Sequence, residues 1–321
     1  SGSSVATAAT IGTVAVGEID RHHYNERLFL GTIAAGGTLG ILIPPSIVMI
    51  VYGALTETSI PQLYLAGIIP GLVLAGLFMG TVIIACLIRP AWGGDRINIS
   101  WAQRWRTLPD LLPPLIIFVV VIGSIYAGLA TPTESAALGV LMAMVLAGFR
   151  RRLTWEMLRL SLEGTMRTSA MIMLILVAAS FLSFIITSVG IGRQVTDMIT
   201  ASGMTPMQTI WMIIVLYLVL GMFMESLSMM IATVPVIAPV VIAMGFDPVW
   251  FGVLMMLLLE TALITPPVGL NLFIVQGVRT RGQMRDVMIG SLPFVVTLLC
   301  IITLLVFFPS LALWLPETVG R

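Results

Sequence analysis

Two stretches of the chain carry the same chemistry. "SGSSVATAAT" (1–10) leads to "GTLGILIPPSIVMIVYG" (37–53), and "ESLSMMIATVPVI" (225–237) leads to "TALITPPVGLNLFIVQG" (261–277). Each pairs closely spaced serines with a Pro-Pro step inside an apolar run. Proline has no N–H, and inside a helix its ring clashes with the preceding turn. The two steps are therefore expected to break their helices and free carbonyls one turn earlier, near Gly40 to Leu42 and Ala262 to Ile264. Freed carbonyls and hydroxyls suit a hard cation, and half-helix N-termini suit an anion such as a carboxylate. A plain proline kink is the simpler reading of either step alone; recurrence in matched positions argues against it.

These groups are carried by membrane spans. Of the 321 residues, 58% are hydrophobic and 10% charged, with mean hydropathy +1.07, against about a quarter charged in soluble domains. Runs such as 66–88, 111–130 and 289–315 reach the roughly 20 residues that cross a bilayer. The expected fold is an all-α polytopic membrane protein. Backbone broken at membrane depth is tolerated only where it lines a cavity or binds something.

There is no lysine, and 14 of the 16 arginines fall in 18–27, 89–106, 150–167 and 279–285, leaving Arg193 and Arg321 elsewhere. The positive-inside rule places these four segments in the cytoplasm. Segments 56–62, 190–206 and 245–248 then face outward. The apolar runs thread through that map as 1–16 inward, 31–55 outward, 63–88 inward and 110–149 out and back. They continue as 166–189 outward, a pair 206–224 and 228–244 on the outer side, 249–276 inward and 287–314 outward.

The two stretches form an internal repeat. Ser1 to Pro44 is 43 positions and Ser226 to Pro266 is 40; Pro45 to Pro70 is 25 and Pro267 to Pro293 is 26. The loop charges tie the first serine cluster to the cytoplasm and the second to the outside, so the copies are inverted. Inverted repeats with broken helices and a midplane site mark secondary transporters. The chain starts without methionine in the middle of a structured stretch. The second copy has about 115 residues ahead of its serines, so roughly that many are expected to be missing before Ser1.

Other polar groups have local readings. The serines Ser1, Ser3 and Ser4, and Ser226 and Ser228, fall where re-entrant hairpins should turn, and hydroxyls satisfy backbone there. Thr131, Pro132 and Glu134 form a capping-box arrangement. Glu225 and Glu260 are expected to be buried at depth, where carboxylates are functional candidates. Either would carry a coupled proton or balance a cation, with helix capping as the alternative for Glu225. Asn271 would contact substrate or support the broken backbone. His22 and His23 are expected to be solvated without a partner cluster, and Cys86 and Cys300 to be packing thiols. No nucleophile elbow, zinc-protease motif or phosphate-binding loop is present, so no ATPase drives the chain from within.

Taken together, "SGSS", "GGTLGILIPPSIVMIVYG", "AGIIPG", "GLATPTESAA", "GFDPVWFG" and "ITPPVGLNLFIVQGV" resemble the large membrane subunit of tripartite ATP-independent periplasmic (TRAP) transporters, from Ser1 to about Phe308. The resemblance implies an elevator-type, Na⁺-coupled importer of an organic acid such as a C4-dicarboxylate or sialic acid. It would sit multi-pass in the bacterial inner membrane. Its partners would be a small TRAP membrane subunit and a periplasmic solute-binding protein, with no nucleic acid and no cofactor besides the coupling Na⁺. One Na⁺ site would fall on Ser1, Ser3, Gly40, Leu42 and Pro45, and the second on Ser226, Ser228, Ala262, Thr265 and Pro267. Substrate contacts would fall on Ser3, Ser4, Ser46, Ser228, Gly269 and Asn271. The family often has an aspartate near the second tip, where this chain has Glu225.

The implied organisation is a first-repeat transport region (1–62), a span with its cytoplasmic loop (63–109), second-repeat scaffold helices (110–205), a second-repeat transport region (206–286) and a C-terminal span (287–321). Two alternatives stand beside it. One is a stand-alone dicarboxylate, citrate or oxyanion permease without a binding protein. The other is an intramembrane enzyme, for which Glu225 with Glu260 is the only candidate pair.

Overall fold

The computed structural model describes residues 2–95, 101, 105, 108–190, 194, 197–198, 201, 203–279 and 281–319. Ser1, Arg193 and Arg321, and parts of 89–106 and 190–206, lie outside them. All regular structure among the described residues is helical. Among the described residues, five helices are long and apolar enough to cross a membrane, or six if one bent pair is counted as a single span.

The chain divides into two compact units, one of residues 1–95 and 179–321, the other of 96–178. The first unit contains α1 (Ser4–His22), α2 (Glu26–Leu42), α3 (Ile47–Thr56) and α4 (Ile60–Ile88). The second unit contains α5 (Leu112–Tyr126), α6 (Pro132–Phe149) and the front of α7 (Trp155–Val189), whose last residues belong to the first unit. The first unit resumes with α8 (Pro206–Gly221), α9 (Ser226–Ala243) and α10 (Pro248–Ile264). It ends with α11 (Leu270–Val278), α12 (Met284–Phe307) and α13 (Ser310–Val319).

The repeat is visible in element order and size. The series α1, α2, α3, α4 runs 19, 17, 10 and 29 residues; α9, α10, α11, α12 runs 18, 17, 9 and 24. Both predicted breaks are present. Helix α2 stops at Leu42 and α3 restarts at Ile47, bent by 42°. Helix α10 stops at Ile264 and α11 restarts at Leu270. Both Pro-Pro bonds are cis.

Helix α10 is the centre of the first unit. Every residue from Val249 to Ile264 is buried, as expected of a helix apolar on all sides. Tyr52 Oη donates to the Pro248 carbonyl (2.8 Å) and Trp250 Nε1 donates to the Leu305 carbonyl (3.1 Å), tying α3 and α12 to it. Helices α2 and α12 touch backbone to backbone. A Cβ on Gly31 would lie 1.9 Å from the Gly290 carbonyl oxygen, and one on Gly290 would lie 1.9 Å from that of Arg27. Small residues at helix crossings are how membrane proteins achieve such contact. Helix α4 instead exposes Met79, Ile83, Ile84, Leu87 and Ile88 along one face.

Three of the arginine-rich segments meet at one end of this unit. The Asn25 N–H donates to the Trp92 carbonyl (3.1 Å), Asp95 N–H to that of His22 (2.8 Å), and Arg27 Nε to Asp286 (3.0 Å). Arg281 pairs with Asp20. Segments assigned to one face of the bilayer by charge thus gather in space.

Some expectations are corrected. The stretch 18–27 is not a loop throughout: α1 continues to His22, where His23 (φ 53°) terminates it. The histidines belong to no ligand cluster among the described residues, and each has one acidic neighbour, His22 Nε2 lying 3.0 Å from Glu18 and His23 Nδ1 2.7 Å from Asp95. Both are the ordinary result of a short reach across a helix end. The 287–314 stretch contains a break. Pro309 has no N–H to continue the ladder, so α12 ends at Phe307 and α13 starts anew at Ser310.

Candidate functional site

The first hairpin tip is built against the first break. Ser3 is the N-cap of α1, accepting from Ala6 N–H (3.4 Å), and its carbonyl accepts from Thr7 Oγ1 (2.8 Å). The Ile47 N–H, first in α3, donates to the Gly2 carbonyl (3.4 Å). A Cβ on Gly2 would lie 3.0 Å from the Pro45 carbonyl oxygen. One on Gly40 would lie 2.9 Å from Thr7 Oγ1 and 3.5 Å from the Ser3 carbonyl oxygen. Of the sodium ligands implied for this repeat, Ser3, Gly40 and Pro45 are therefore neighbours. The Leu42 carbonyl faces α4, 2.6 Å from where a Cβ on Gly67 would sit. Ser1 lies outside the described residues.

The second tip is built against the second break. Helix α8 ends at Gly221, where a Cβ would lie 2.3 Å from the Cβ of Ala262. Ser226 opens α9, is buried, and its Oγ has no hydrogen-bond partner. Thr265 is buried and donates to the Thr261 carbonyl (2.6 Å). Ser228 and Pro267 are exposed.

Glu225 is exposed rather than buried. It sits at the turn itself and caps α9, accepting from Ser228 N–H (3.1 Å) and Ser228 Oγ (3.4 Å). That is the capping alternative, and it follows from a carboxylate standing at a helix N-terminus. Glu134 likewise completes a capping box with Thr131, whose N–H and Oγ1 both donate to Glu134 Oε2 at 2.8 Å. It belongs to the second unit and does structural work at the start of α6.

The substrate candidates separate into two kinds. Ser46 is fully buried and caps α3 by accepting from Met49 N–H (3.4 Å). Gly269 occupies the corresponding place before α11, with φ 32°. A Cβ there would meet the carbonyl oxygens of Leu263 and Thr265 at 3.0 Å. Asn271 crosses between the repeats: its Nδ2 donates to Ser4 Oγ (2.6 Å) and to the Ala34 carbonyl (3.1 Å). Asn271 and Ser4 are thus brought together. Its Oδ1 is buried without a partner.

The second crossing residue is Glu260, which is 0% exposed with both carboxylate oxygens lacking hydrogen-bond partners. The Thr38 side chain and the Leu42 backbone on α2 lie within reach of its carboxylate. Sequence reasoning missed Thr38, although a signal was there. Thr38 stands six positions before Pro44, as Glu260 stands six before Pro266. It also missed Arg279, read as a loop cation. The Arg279 side chain is 3% exposed, pairs with Glu26 and lies 3.7 Å from Asp286, fastening the end of α11. Among the described residues no cluster of histidine, cysteine and acidic side chains could hold a metal ion. Any cation here would depend on hydroxyl, carbonyl and isolated carboxylate oxygens.

Comparison with known proteins agrees with this architecture. Residues 1–311 match the family described as "Tripartite ATP-independent periplasmic transporter, DctM component". The chain is 33% identical to the C4-dicarboxylate TRAP transporter large permease protein DctM of Pseudomonas aeruginosa, covering 100% of this chain and 74% of that protein. It is 33% identical to the ectoine/5-hydroxyectoine large permease UehC of Ruegeria pomeroyi, over 99% of this chain and 74% of that one. Against the sialic acid large permease SiaM of Vibrio cholerae it is 31% identical, with the same two coverages. The chain belongs to the DctM family of TRAP transporter large permeases, multi-pass proteins of the bacterial inner membrane that are transporters and not enzymes.

Proposed function

We propose that this permease imports an organic acid, such as a C4-dicarboxylate or sialic acid, by a Na⁺-coupled elevator movement. A periplasmic solute-binding protein would deliver the substrate, and a small membrane subunit would complete the complex. The observation that carries the reading is the packing of each hairpin tip on its own helix break within one compact unit. Such a unit is the block an elevator moves. Residues 96–178, clustered separately, are the natural scaffold.

The donor set fits sodium. Serine hydroxyls and carbonyls at a helix break are hard oxygen ligands, and Ser226 Oγ is a buried oxygen without a partner. Ser3, Gly40 and Pro45 would serve one ion, and Ser226, Ser228, Ala262, Thr265 and Pro267 the other. Sodium would neutralise the oxygen-rich tips so that a carboxylate substrate is accepted beside them. The half-helix N-termini at Ser46 and Gly269, with Asn271 and the tip serines Ser3, Ser4 and Ser228, are the groups this chain offers to that carboxylate.

The test is uptake by the complete three-component complex in proteoliposomes, using a panel of organic acids with and without the binding protein. Uptake is expected to need both the binding protein and an inward Na⁺ gradient. Undiminished uptake after replacing Na⁺ with choline would overturn the coupling. Uptake without the binding protein would favour a stand-alone permease.

A further inference from the structure

We propose that the cavity at the arginine-rich end of the first unit binds the headgroup of an anionic glycerophospholipid of the cytoplasmic leaflet. Arg89 is the ligand of its phosphodiester. The site stands at the start of α2, the opposite end of that helix from its break, and is independent of the sodium reading.

The cavity has a volume of about 630 Å³ and is closed by three elements. They are the first turn of α2, the short turn Pro90–Gly93 that follows α4, and the first turns of α12. The bond from Asn25 N–H to the Trp92 carbonyl (3.1 Å) fixes that short turn against α2. The backbone approach of Gly290 to Arg27 fixes α12 against the same end of α2. The lining is amphipathic: Leu28, Ile289 and Pro293 are apolar, whereas Asn25, Arg27 and Arg89 carry donors.

The charges around the cavity do not balance. Arg27 pairs with Asp286 (3.0 Å), and the buried Arg279 pairs with Glu26. Among the described residues no carboxylate pairs with Arg89, whose guanidinium carbon lies 4.9 Å from the centre of the Trp92 ring. Three arginines thus stand against two carboxylates, leaving one positive charge for a ligand to neutralise. Stacking on Trp92 holds the Arg89 guanidinium in place without using its N–H groups. They remain free to donate in pairs to phosphate oxygens.

Membrane position decides the kind of anion. Leu87 and Ile88, just before Arg89, are 75% and 73% exposed, and Ile84 and Leu292 are exposed as well. On a membrane span such side chains meet lipid tails, and tryptophan directly after them stands at headgroup level. Basic pockets between helices on the cytoplasmic side are where anionic headgroups dock. A soluble phosphate would leave the apolar lining unfilled. A zwitterionic lipid would leave the excess charge unbalanced.

The experiment is thermal unfolding of the delipidated full-length permease in detergent, followed by tryptophan fluorescence. Phosphatidylglycerol is titrated in mixed micelles, against phosphatidylethanolamine, phosphatidylcholine and soluble glycerophosphate. The midpoint is expected to rise at a far lower mole fraction of phosphatidylglycerol than of either zwitterionic lipid, and not with glycerophosphate. In Arg89→Gln the half-saturating phosphatidylglycerol is expected to rise about tenfold, and in Trp92→Leu about threefold. Arg151→Gln, which removes an exposed arginine of the second unit, is expected to keep the wild-type value. Equal responses to the three lipids overturn the proposal, and so does an Arg89→Gln protein that behaves as Arg151→Gln does. A midpoint raised by glycerophosphate also overturns it, by making the cavity a site for a soluble phosphate. If Arg89→Gln does not fold, Trp92→Leu decides, and an unchanged half-saturation there overturns the proposal.

Discussion

The two breaks use one backbone device and stabilise it differently. At the first, Ser46 is a buried side-chain cap for α3, and the helix ends in a local turn. There Glu57 adopts φ 55°, and both its N–H and that of Thr58 reach the Gly53 carbonyl. At the second, no side chain caps α11: Gly269 at φ 32° makes the turn. Asn271 then reaches Ser4 and Ala34 on the other repeat, and Arg279 anchors the far end to Glu26 and Asp286. The first break has its own buried side-chain cap and adds long-range ties from Ile47 to Gly2 and from Tyr52 to Pro248. The second, by contrast, has no side-chain cap and relies on Asn271 and Arg279 reaching the first repeat. Duplicated halves need not share the work equally once they pack together.

Mutations can test that asymmetry. The largest loss is expected from Asn271→Leu, which removes two buried hydrogen bonds joining the repeats and costs about 3 kcal/mol in stability. Thermal unfolding of the purified permease reads it; a wild-type midpoint would mean the second break does not lean on the first. Gly269→Ala comes next at roughly 2 kcal/mol, because a side chain at positive φ is strained and the Cβ meets two carbonyl oxygens. Its first-repeat counterpart, Ser46→Ala, loses only a cap and is expected to cost about 1 kcal/mol. Equal midpoint shifts for these two variants would erase the proposed difference between the breaks.

Glu225→Ala should have the smallest effect, about 0.5 kcal/mol, since its cap on α9 is exposed and water can replace it. A loss as large as that from Asn271→Leu would mean this carboxylate does more than cap.

Much of this was legible in the residues. The Pro-Pro steps, the spacing of the repeat, the capping box at Thr131 and Glu134, and the clustering of arginine act through covalent constraint, local hydrogen bonding or bulk partition. Each can be evaluated over a few positions. The breaks at 43–46 and 265–269 therefore fell where expected. Glu225 was misjudged because a hairpin tip is in the sequence's apolar middle and at the surface of the folded unit. The single acidic neighbours of His22 and His23 were not legible, because Glu18 and Asp95 reach them only after α1 has formed and its end has met the 89–95 segment.

The amino-acid sequence alone determined that this chain is a helical membrane protein with two broken, repeated helices, because proline chemistry and hydropathy operate locally. Only the tertiary structure decided that Asn271 holds Ser4, that Glu260 looks at Thr38, and that Arg279 is buried between acids. Those contacts span 267, 222 and 253 positions (271−4, 260−38 and 279−26). They depend on how two helices settle against each other, and no periodicity along the chain encodes that distance.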